Sequence, residues 1–352
     1  MNKISKLCND PLFQINLAIW LAQPQPSEYF YVYPLFYKSE LSIYSIGPLL
    51  ALPPDIRLTV SKDYQDKARP DLVLENKEKK KFCILECKKS SFGPNTEQAK
   101  QARTLLLISG PIISEVLGVG SRGQNKGILC YFSDSSQVEM MEKTLKTLTQ
   151  DIKNLNLESG TYGCFGIKAE DLVILLEYSN QIKNFLDIKD NSPVEIIRIE
   201  KDTDPRPLYF IPYDPNIQQT KEEEEFCRRI LFERILSYII SKIGGADIPS
   251  LIIFTTEELL NSATFGVYEI WDDTEAKRYI RRIVKDFLNQ IKNNIAEPLK
   301  ECITYESQKG WTFNLKDRKI YEELLKQLQK FKPETLDLSK KVEPTLFDNI
   351  ED

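Results

Sequence analysis

The chain contains no histidine in its 352 residues. Histidine supplies the ligands of most zinc hydrolases and the general base of Ser-His and Cys-His nucleophile pairs, and HNH nucleases also depend on it. Those classes of catalytic site are therefore excluded. Any catalysis by this protein has to use carboxylates, lysine, a thiol or a metal ion held by oxygen atoms.

Cysteine is present but is not arranged for metal binding. The seven cysteines are scattered along the chain, and no two of them form a CxxC pair. This spacing argues against a zinc ribbon or an iron–sulfur cluster. Cys83, Cys87 and Cys130 lie in apolar, strand-like runs, where free cysteine usually serves as a small core residue. We therefore expect reduced cysteines and a cytoplasmic location.

The chain also lacks a long, uninterrupted apolar run. Its longest apolar region, 105–119, is broken by Gly110, Pro111 and Glu115, so it does not have the composition of a membrane span. The N-terminus reaches Asp10-Pro11 without a continuous hydrophobic stretch, and we expect no signal peptide. A net charge of −5 argues against indiscriminate nucleic-acid binding, although a mildly acidic chain can still carry a local basic face.

Two short apolar runs around a charged turn predict a β-hairpin that carries acidic groups. Asp71 opens the first run, and the second run ends at Glu86, Cys87 and Lys88. Side chains alternate along a strand, so Glu86 and Lys88 share one face while Cys87 faces the other way. Carboxylate and carbonyl oxygens suit a hard ion such as Mg²⁺. A charge at the end of an apolar strand is costly unless a metal or substrate compensates it.

The motif has competitors within the same stretch. Two other acid-x-lysine triplets begin at Glu75 and Glu78, closer to Asp71. Both fall in the hydrophilic turn, where charges are ordinarily solvated. The bare pattern also arises by chance, and an ordinary surface hairpin is the alternative to a functional site.

Residues 69–107 resemble the catalytic core of the PD-(D/E)xK nuclease superfamily. The resemblance implies an α/β, restriction-endonuclease-like fold in which a mixed sheet is flanked by helices. It implies Asp71 and Glu86 as metal ligands, the backbone carbonyl of Cys87 as a further ligand, and Lys88 as the catalytic lysine. The implied cofactor is Mg²⁺, with Mn²⁺ as an alternative.

A capped helix is predicted after the hairpin, from Asn95 into the leucines at 105–107. Members of the superfamily often carry a glutamine in this helix near the scissile phosphate, and the resemblance offers Gln98 or Gln101 for that role. Many members also use an acid from the first helix. The predicted first helix, 10–23, contains no glutamate, so the upstream acid is unassigned.

Length predicts two domains, and a proline-rich stretch marks the junction between them. We expect a nuclease-like domain over 1–200, a linker over 201–218, a second domain over 219–331 and a disordered tail over 332–352. The second domain is rich in helices. Its predicted elements are a long amphipathic helix (219–243), a short strand (250–254), a helix capped by Thr255, a basic helix (273–295) and a hairpin formed by 302–306 and 310–315.

The basic helix has one strongly charged face. Arg278, Arg281, Arg282 and Lys285 recur at i, i+3, i+4 and i+7, and apolar residues cover the opposite side. A solvated charged face on a structural helix is the alternative interpretation. The hairpin that follows favours nucleic-acid contact.

The order helix, strand, helix, helix, hairpin resembles the winged helix-turn-helix domains of transcriptional regulators. The resemblance implies that the basic helix enters the major groove of double-stranded DNA and that Lys309, in the wing, contacts the DNA backbone. A winged helix also serves protein–protein contacts in some proteins, and this alternative stays open. The sequence also leaves open whether the protein forms a homodimer.

The tail carries a short apolar motif, Glu343-Pro344-Thr345-Leu346-Phe347. It faintly resembles the bacterial sliding-clamp-binding motif, with glutamate in place of the leading glutamine. Contact with a sliding clamp through Leu346 and Phe347 is one interpretation, and an intramolecular contact or no role is the other.

Together these features predict a metal-dependent endonuclease that hydrolyses DNA phosphodiester bonds, in restriction or in defence against foreign DNA. A non-catalytic DNA-binding regulator with a nuclease-like scaffold is one alternative. An RNA nuclease, or an effector subunit of a larger defence complex, is the other.

Overall fold

The structure is a computed structural model, and it describes residues 6–23, 31–188, 193–198, 204–307 and 309–332. The chain divides into two compact units. The first comprises Met1–Ile217 together with Leu260–Arg281, and the second comprises Gln218–Leu259 together with Arg282–Asp352, each over its described residues. Among the described residues, every helix is too short or too polar to cross a bilayer.

The first unit alternates strands and helices over most of its length. Its strands are β1 (Tyr31–Val32), β2 (Ser42–Ile46), β3 (Leu50–Ala51), β4 (Lys67–Ala68), β5 (Leu72–Asn76), β6 (Lys81–Cys87), β7 (Lys126–Asp134), β8 (Thr161–Glu170), β9 (Val173–Tyr178) and β10 (Val194–Arg198). Its helices are α1 (Pro11–Ala22), α2 (Leu35–Lys38), α3 (Pro54–Thr59), α4 (Glu97–Ile108), α5 (Ile113–Val116), α6 (Ser135–Asn154) and α7 (Asn180–Leu186).

Eight of these strands form one mixed sheet in the order β1-β10-β9-β8-β7-β6-β5-β2. The pairs β6–β7 and β7–β8 are parallel, and the other pairs are antiparallel. Parallel neighbours need crossover connections, which here contain α4 and α5 in one case and α6 in the other. The predicted α/β class, a mixed sheet flanked by helices, is therefore confirmed.

The predicted hairpin is the pair β5–β6, with Leu72 opposite Leu85. Every residue of β5 is buried, as is β6 from Phe82 onward, because helices cover the sheet. On one face, Phe82 and Ile84 pack in a single apolar core with residues of α4, α6 and β7. The C-terminal end of β6 therefore lies beside α4. This places Glu86 and Lys88 at the edge of the apolar core.

Helix α1 is enclosed by protein on all sides. Asp10 caps its N-terminus by accepting a hydrogen bond from the backbone N–H of Leu12 at 3.0 Å. Every residue from Leu12 to Ala22 is buried, including Gln14 and Asn16. A helix that is apolar all round is typical of the interior of a domain, and polar residues inside it need internal partners.

Of the segment predicted as a linker, 201–218, residues 204–217 belong to the first unit. This segment contains a 3₁₀ turn, Arg206–Leu208. Large apolar and aromatic side chains follow this turn, and those of Tyr209, Phe210, Ile211 and Tyr213 are buried. Asn16 of α1 accepts a hydrogen bond from the Ile211 N–H and donates one to its carbonyl, both at 2.9 Å. Residues 209–214 are therefore a buried part of the first unit and not an exposed spacer.

The elements predicted for the second half occur in the predicted order. They are α8 (Lys221–Gly244), β11 (Ser250–Phe254), α9 (Thr256–Ala263), α10 (Thr274–Asn294), β12 (Ile303–Glu306) and β13 (Gly310–Leu315). A further helix, α11 (Arg318–Lys330), follows β13 and is absent from the prediction. The three strands form an antiparallel sheet in the order β11-β13-β12. The second unit begins at Gln218, one residue before the boundary predicted at 219, but residues 260–281 group with the first unit, which the prediction does not include. The winged-helix assignment stays a prediction.

Candidate active site

The ends of β5 and β6 bring the predicted acidic residues and lysine together. Asp71 immediately precedes β5, and its Oδ2 accepts a hydrogen bond of 2.6 Å from the backbone N–H of Cys87. Lys88 Nζ lies 2.6 Å from Glu86 Oε1. The antiparallel register of the hairpin thus converts a separation of fifteen residues, from Asp71 to Glu86, into a single cluster.

Glu86 and Lys88 face helix α4, as strand alternation predicts. Gln101 of α4 donates through Nε2 to Glu86 Oε1 at 3.2 Å and to the carbonyl of Arg69 at 3.0 Å. Gln98 lies one turn earlier in the same helix, and its side chain is exposed. Of the two predicted glutamines, the structure therefore places Gln101 against the acidic cluster.

Glu86 has one oxygen that its protein neighbours leave unsatisfied. The residue is 3 % exposed, and its Oε1 accepts from both Lys88 and Gln101. Its Oε2 is buried and has no hydrogen-bond partner among the described residues. A buried carboxylate oxygen without a partner is costly, so this atom is poised to accept a cation or a hydrogen-bond donor from a ligand.

Burial and the neighbouring charge of Glu86 raise the pKa of Asp71 well above its usual range, and Lys88 and the Cys87 amide offset only part of this. Burial alone would lower the pKa of Lys88, but attraction to Glu86 and Asp71 outweighs it and raises that pKa. Lys88 is therefore an ammonium group at neutral pH. It can donate hydrogen bonds and stabilise negative charge, and it is not a general base in this state.

The donor set fits a magnesium ion. Asp71 and Glu86 supply carboxylate oxygens, and the carbonyl of Cys87 points to the same side of β6 as its N–H, which faces Asp71. The described residues contain no group of three or more acidic or cysteine side chains that could hold a metal. Mg²⁺ commonly binds through one or two carboxylates and keeps several water molecules, so two carboxylates with neutral oxygens suffice.

Gln14 is a site residue that sequence reasoning missed. Its Nε2 donates to the carbonyl of Cys8 at 2.7 Å and to that of Lys88 at 3.3 Å, and its buried Oε1 has no partner among the described residues. Ser133 Oγ also donates to the Lys88 carbonyl, at 2.9 Å. The predicted first helix contains no glutamate and the upstream acid is unassigned; the structure places the side-chain amide of Gln14 at the Lys88 carbonyl. The available signal was a polar residue inside an apolar helix, which requires partners.

The predicted basic residues of α10 lie on its outer side. Arg278, Arg281 and Lys285 are exposed and Arg282 is half-buried, whereas the apolar residues of the opposite face, among them Ile280 and Phe287, are buried. The amphipathic pattern predicted from the sequence is thus confirmed for this helix.

Some of these cations also have protein partners. Arg281 Nε donates to the Tyr268 hydroxyl at 3.0 Å, and Lys285 Nζ lies 4.9 Å from the centroid of the Tyr305 ring. Lys309, at the tip of the β12–β13 hairpin, is 2.8 Å from Glu306 but 63 % exposed, so water screens that pair strongly. Leu346 and Phe347 lie outside the described residues.

Comparison with known proteins finds no matching family model, no matching curated sequence and no matching solved structure. The functional assignment therefore rests on the geometry of Asp71, Glu86 and Lys88.

Proposed function

We propose that this protein is a metal-dependent nuclease that hydrolyses phosphodiester bonds in double-stranded DNA. The observation that carries the proposal is the cluster of Asp71, Glu86 and Lys88 at the end of one hairpin, in which Glu86 Oε2 is buried and unpartnered. Asp71, Glu86 and the Cys87 carbonyl would hold Mg²⁺ or Mn²⁺. A bound ion of this kind polarises the phosphate and lowers the pKa of the attacking water.

The protein groups around this cluster are held in fixed positions before substrate arrives. The Cys87 N–H fixes Asp71, and Gln101 fixes Glu86 through Oε1, which leaves Oε2 available. The Lys88 ammonium is placed to donate to a phosphate oxygen or to orient the attacking water, and it stabilises the negative charge that develops in hydrolysis. Preorganisation of this kind lowers the entropic cost of the reaction.

The proposal includes two finer structural assignments. The hairpin β5–β6, the parallel strands β6, β7 and β8, and helix α4 support a restriction-endonuclease-like core. The order of elements from α8 to β13 and the strand order β11-β13-β12 support a winged helix whose basic helix is α10. In this scheme α10 enters the major groove and Lys309 contacts the DNA backbone. The setting is restriction or defence against foreign DNA.

Cleavage of plasmid, linear duplex and RNA in Mg²⁺, Mn²⁺ and EDTA tests the assignment. We expect cleavage of duplex DNA with either metal and none in EDTA. Glu86→Gln should abolish it, and Lys146→Gln, a change at an exposed lysine of α6, should not. Duplex binding without cleavage in either metal would overturn the nuclease and favour a DNA-binding regulator. Cleavage of RNA alone would make the substrate RNA.

A further inference from the structure

Arg69, two residues before Asp71, makes a partly buried ion pair with Asp273. Arg69 Nη1 lies 3.2 Å from Asp273 Oδ1, and the two side chains are 28 % and 4 % exposed. The same Nη1 donates to the carbonyl of Gly47 at 2.8 Å. Both residues belong to the first unit, although they are far apart in the sequence.

Asp273 is fixed by three further hydrogen bonds. Its Oδ1 accepts from the backbone N–H groups of Glu275 and Ala276, each at 3.0 Å, so it caps the N-terminus of α10. Its Oδ2 accepts from Asn216 Nδ2 at 2.7 Å. The carboxylate therefore joins the start of the basic helix to Arg69.

Arg69 is in turn connected to both acidic residues of the candidate site. Its carbonyl accepts from Gln101 Nε2, the same group that donates to Glu86 Oε1. On the other side, the N–H of Gly47 donates to the Asp71 carbonyl at 2.9 Å, and the Gly47 carbonyl accepts from Arg69. Two short hydrogen-bonded routes thus run from Asp273 to Asp71 and Glu86.

Two backbone segments, 45–47 and 271–273, pack closely against each other beside the Arg69–Asp273 ion pair. Gly47 has a positive φ of 62°, and a Cβ at this position would lie 3.2 Å from the Asp273 Cβ. The N–H of Asp272 donates to the Ile46 carbonyl at 2.7 Å, Ser45 Oγ donates to the Asp272 carboxylate, and Trp271 forms a parallel bridge with Ile46. The segment 271–273 therefore extends the edge of the large sheet next to Asp71.

We propose that Arg69 and Asp273 form a positioning pair, which holds Asp71 and Glu86 at a fixed position relative to the start of α10. The inference deepens the proposed nuclease function and rests on it. Arg278 and Arg281 follow Asp273 on the same helix. A phosphate bound by them would therefore be held at a fixed position relative to Asp71 and Glu86. Neither Arg69 nor Asp273 contacts the reacting groups in this scheme.

Arg69→Gln and Asp273→Asn break the ion pair with little change in shape, and asparagine retains the capping function of Asp273. We expect each variant to lower kcat and Mn²⁺ affinity, measured by calorimetry, by about 10- to 100-fold, the usual cost of losing a group that supports metal ligands. KM for duplex DNA should stay within about twofold, because neither side chain touches the duplex in this scheme. Arg69→Lys keeps the positive charge, so it should retain most of the wild-type kcat and Mn²⁺ affinity that Arg69→Gln loses.

A second measurement needs neither metal nor activity. Amide hydrogen exchange at Gly47 and Cys87 should accelerate about tenfold in the metal-free variants, since both amides are bonded to Asp71. Lys168→Gln, which breaks the exposed pair with Glu170 in the same unit, should change neither exchange nor kcat.

The outcomes separate the two proposals. Wild-type kcat, Mn²⁺ affinity and exchange in Arg69→Gln would overturn the positioning pair and leave the nuclease intact. Faster exchange throughout the chain, with a matching fall in melting temperature, would assign the pair a role in global folding and would also overturn it. A wild-type protein that neither binds Mn²⁺ nor cleaves DNA would overturn the nuclease instead, whatever the exchange at Gly47 shows.

Discussion

Lys88 and Lys89 are neighbours whose side chains have different surroundings. Lys88 contacts Glu86 and its side chain is 20 % exposed, whereas Lys89 is exposed to solvent. We predict that Lys88→Ala reduces the cleavage rate by about 10²–10³-fold, the usual cost of removing one donor that stabilises developing charge. Lys89→Ala and Cys87→Ala should retain most activity, because Cys87 contributes only backbone atoms. Single-turnover cleavage of a short duplex is the measurement, and equal losses at Lys88 and Lys89 would indicate a diffuse basic surface.

Lys88 also compensates a buried charge, which gives a readout that is independent of cleavage. Removing it leaves Glu86 buried without its cation, so the melting temperature of metal-free Lys88→Ala should fall. The double change Lys88→Ala with Glu86→Gln should recover most of that loss, because the uncompensated charge is then gone. No recovery in the double variant would mean that Lys88 stabilises the fold through its aliphatic chain instead.

Asp71 makes the stability of the metal-free protein depend on pH. Its pKa is about 3.9 in an unfolded chain and is raised well above that in the folded protein, chiefly by burial. The folded state therefore binds this proton more tightly, and stability falls as pH rises from about 4 through the folded pKa. Asp71→Asn removes the ionisation and keeps an oxygen for the Cys87 N–H.

We predict that Asp71→Asn melts above the wild type at pH 8 in EDTA by roughly 2–4 °C per kcal/mol gained. The two proteins should approach the same melting temperature below about pH 3, where Asp71 is protonated in both the folded and the unfolded wild type. Saturating Mg²⁺ should reverse the order at pH 8, since only the wild type is stabilised by binding. Thermal scans across pH measure this, and a variant less stable than wild type at pH 8 in EDTA would contradict it.

At the scale of elements, helix α10 carries the charges that we assign to DNA contact. Arg278 and Lys285 are exposed and lie two turns apart on one face. Changing both to glutamate should weaken duplex binding and reduce the slope of log Kd against log salt by about 0.9 for each phosphate that the variant no longer neutralises. Lys146→Glu, an exposed position on α6, is the matched control. Unchanged salt dependence in the double variant would favour a protein-interaction role for this region.

The hairpin β5–β6 could be predicted because two short apolar runs around a charged turn are a local signal. Its turn is shorter than the sequence suggests, since Glu75 and Asn76 are buried strand residues despite their polarity. Asn76 is satisfied there because its Oδ1 accepts from the Lys79 N–H at 2.8 Å and its Nδ2 donates to the distant Ser39 carbonyl at 3.4 Å. Polar residues at a strand end have the composition of a loop. They can nevertheless be buried in the strand when tertiary contacts supply their hydrogen-bond partners.

The supporting residues of the site could not be predicted in the same way. Gln14 reaches Lys88 across 74 positions, and Asn16 reaches Ile211 across 195. Arg69 meets Asp273 only after the chain has left the first unit at Ile217 and returned at Leu260. No local period in the sequence encodes such contacts. The residues of the motif follow from strand alternation, whereas the groups that orient them follow from topology.

At the scale of the whole molecule, the chain does not divide at a single point. Residues 260–281 group with the first unit, and within it Trp271 and Asp273 are 2 % and 3 % exposed. A fragment of residues 219–331, the predicted second domain, would separate Trp271 from Ile46 and Asp273 from Arg69. Exposure of a tryptophan that is buried in the full chain favours local unfolding of that segment.

We predict that trypsin cleaves the isolated 219–331 fragment after Lys277 or Arg278, under conditions in which the full chain is protected there. The buried flank supplied by Ala276 and Ile280 protects these bonds only while Trp271 to Asp273 stay paired with the first unit. The comparable site after Lys326, in the exposed part of α11, should be cut at equal rates in both proteins and serves as the control. Proteolysis followed by mass spectrometry gives the two rates. Equal protection of Lys277 in the fragment and the full chain would show that 219–331 folds independently, with the boundaries predicted from the sequence.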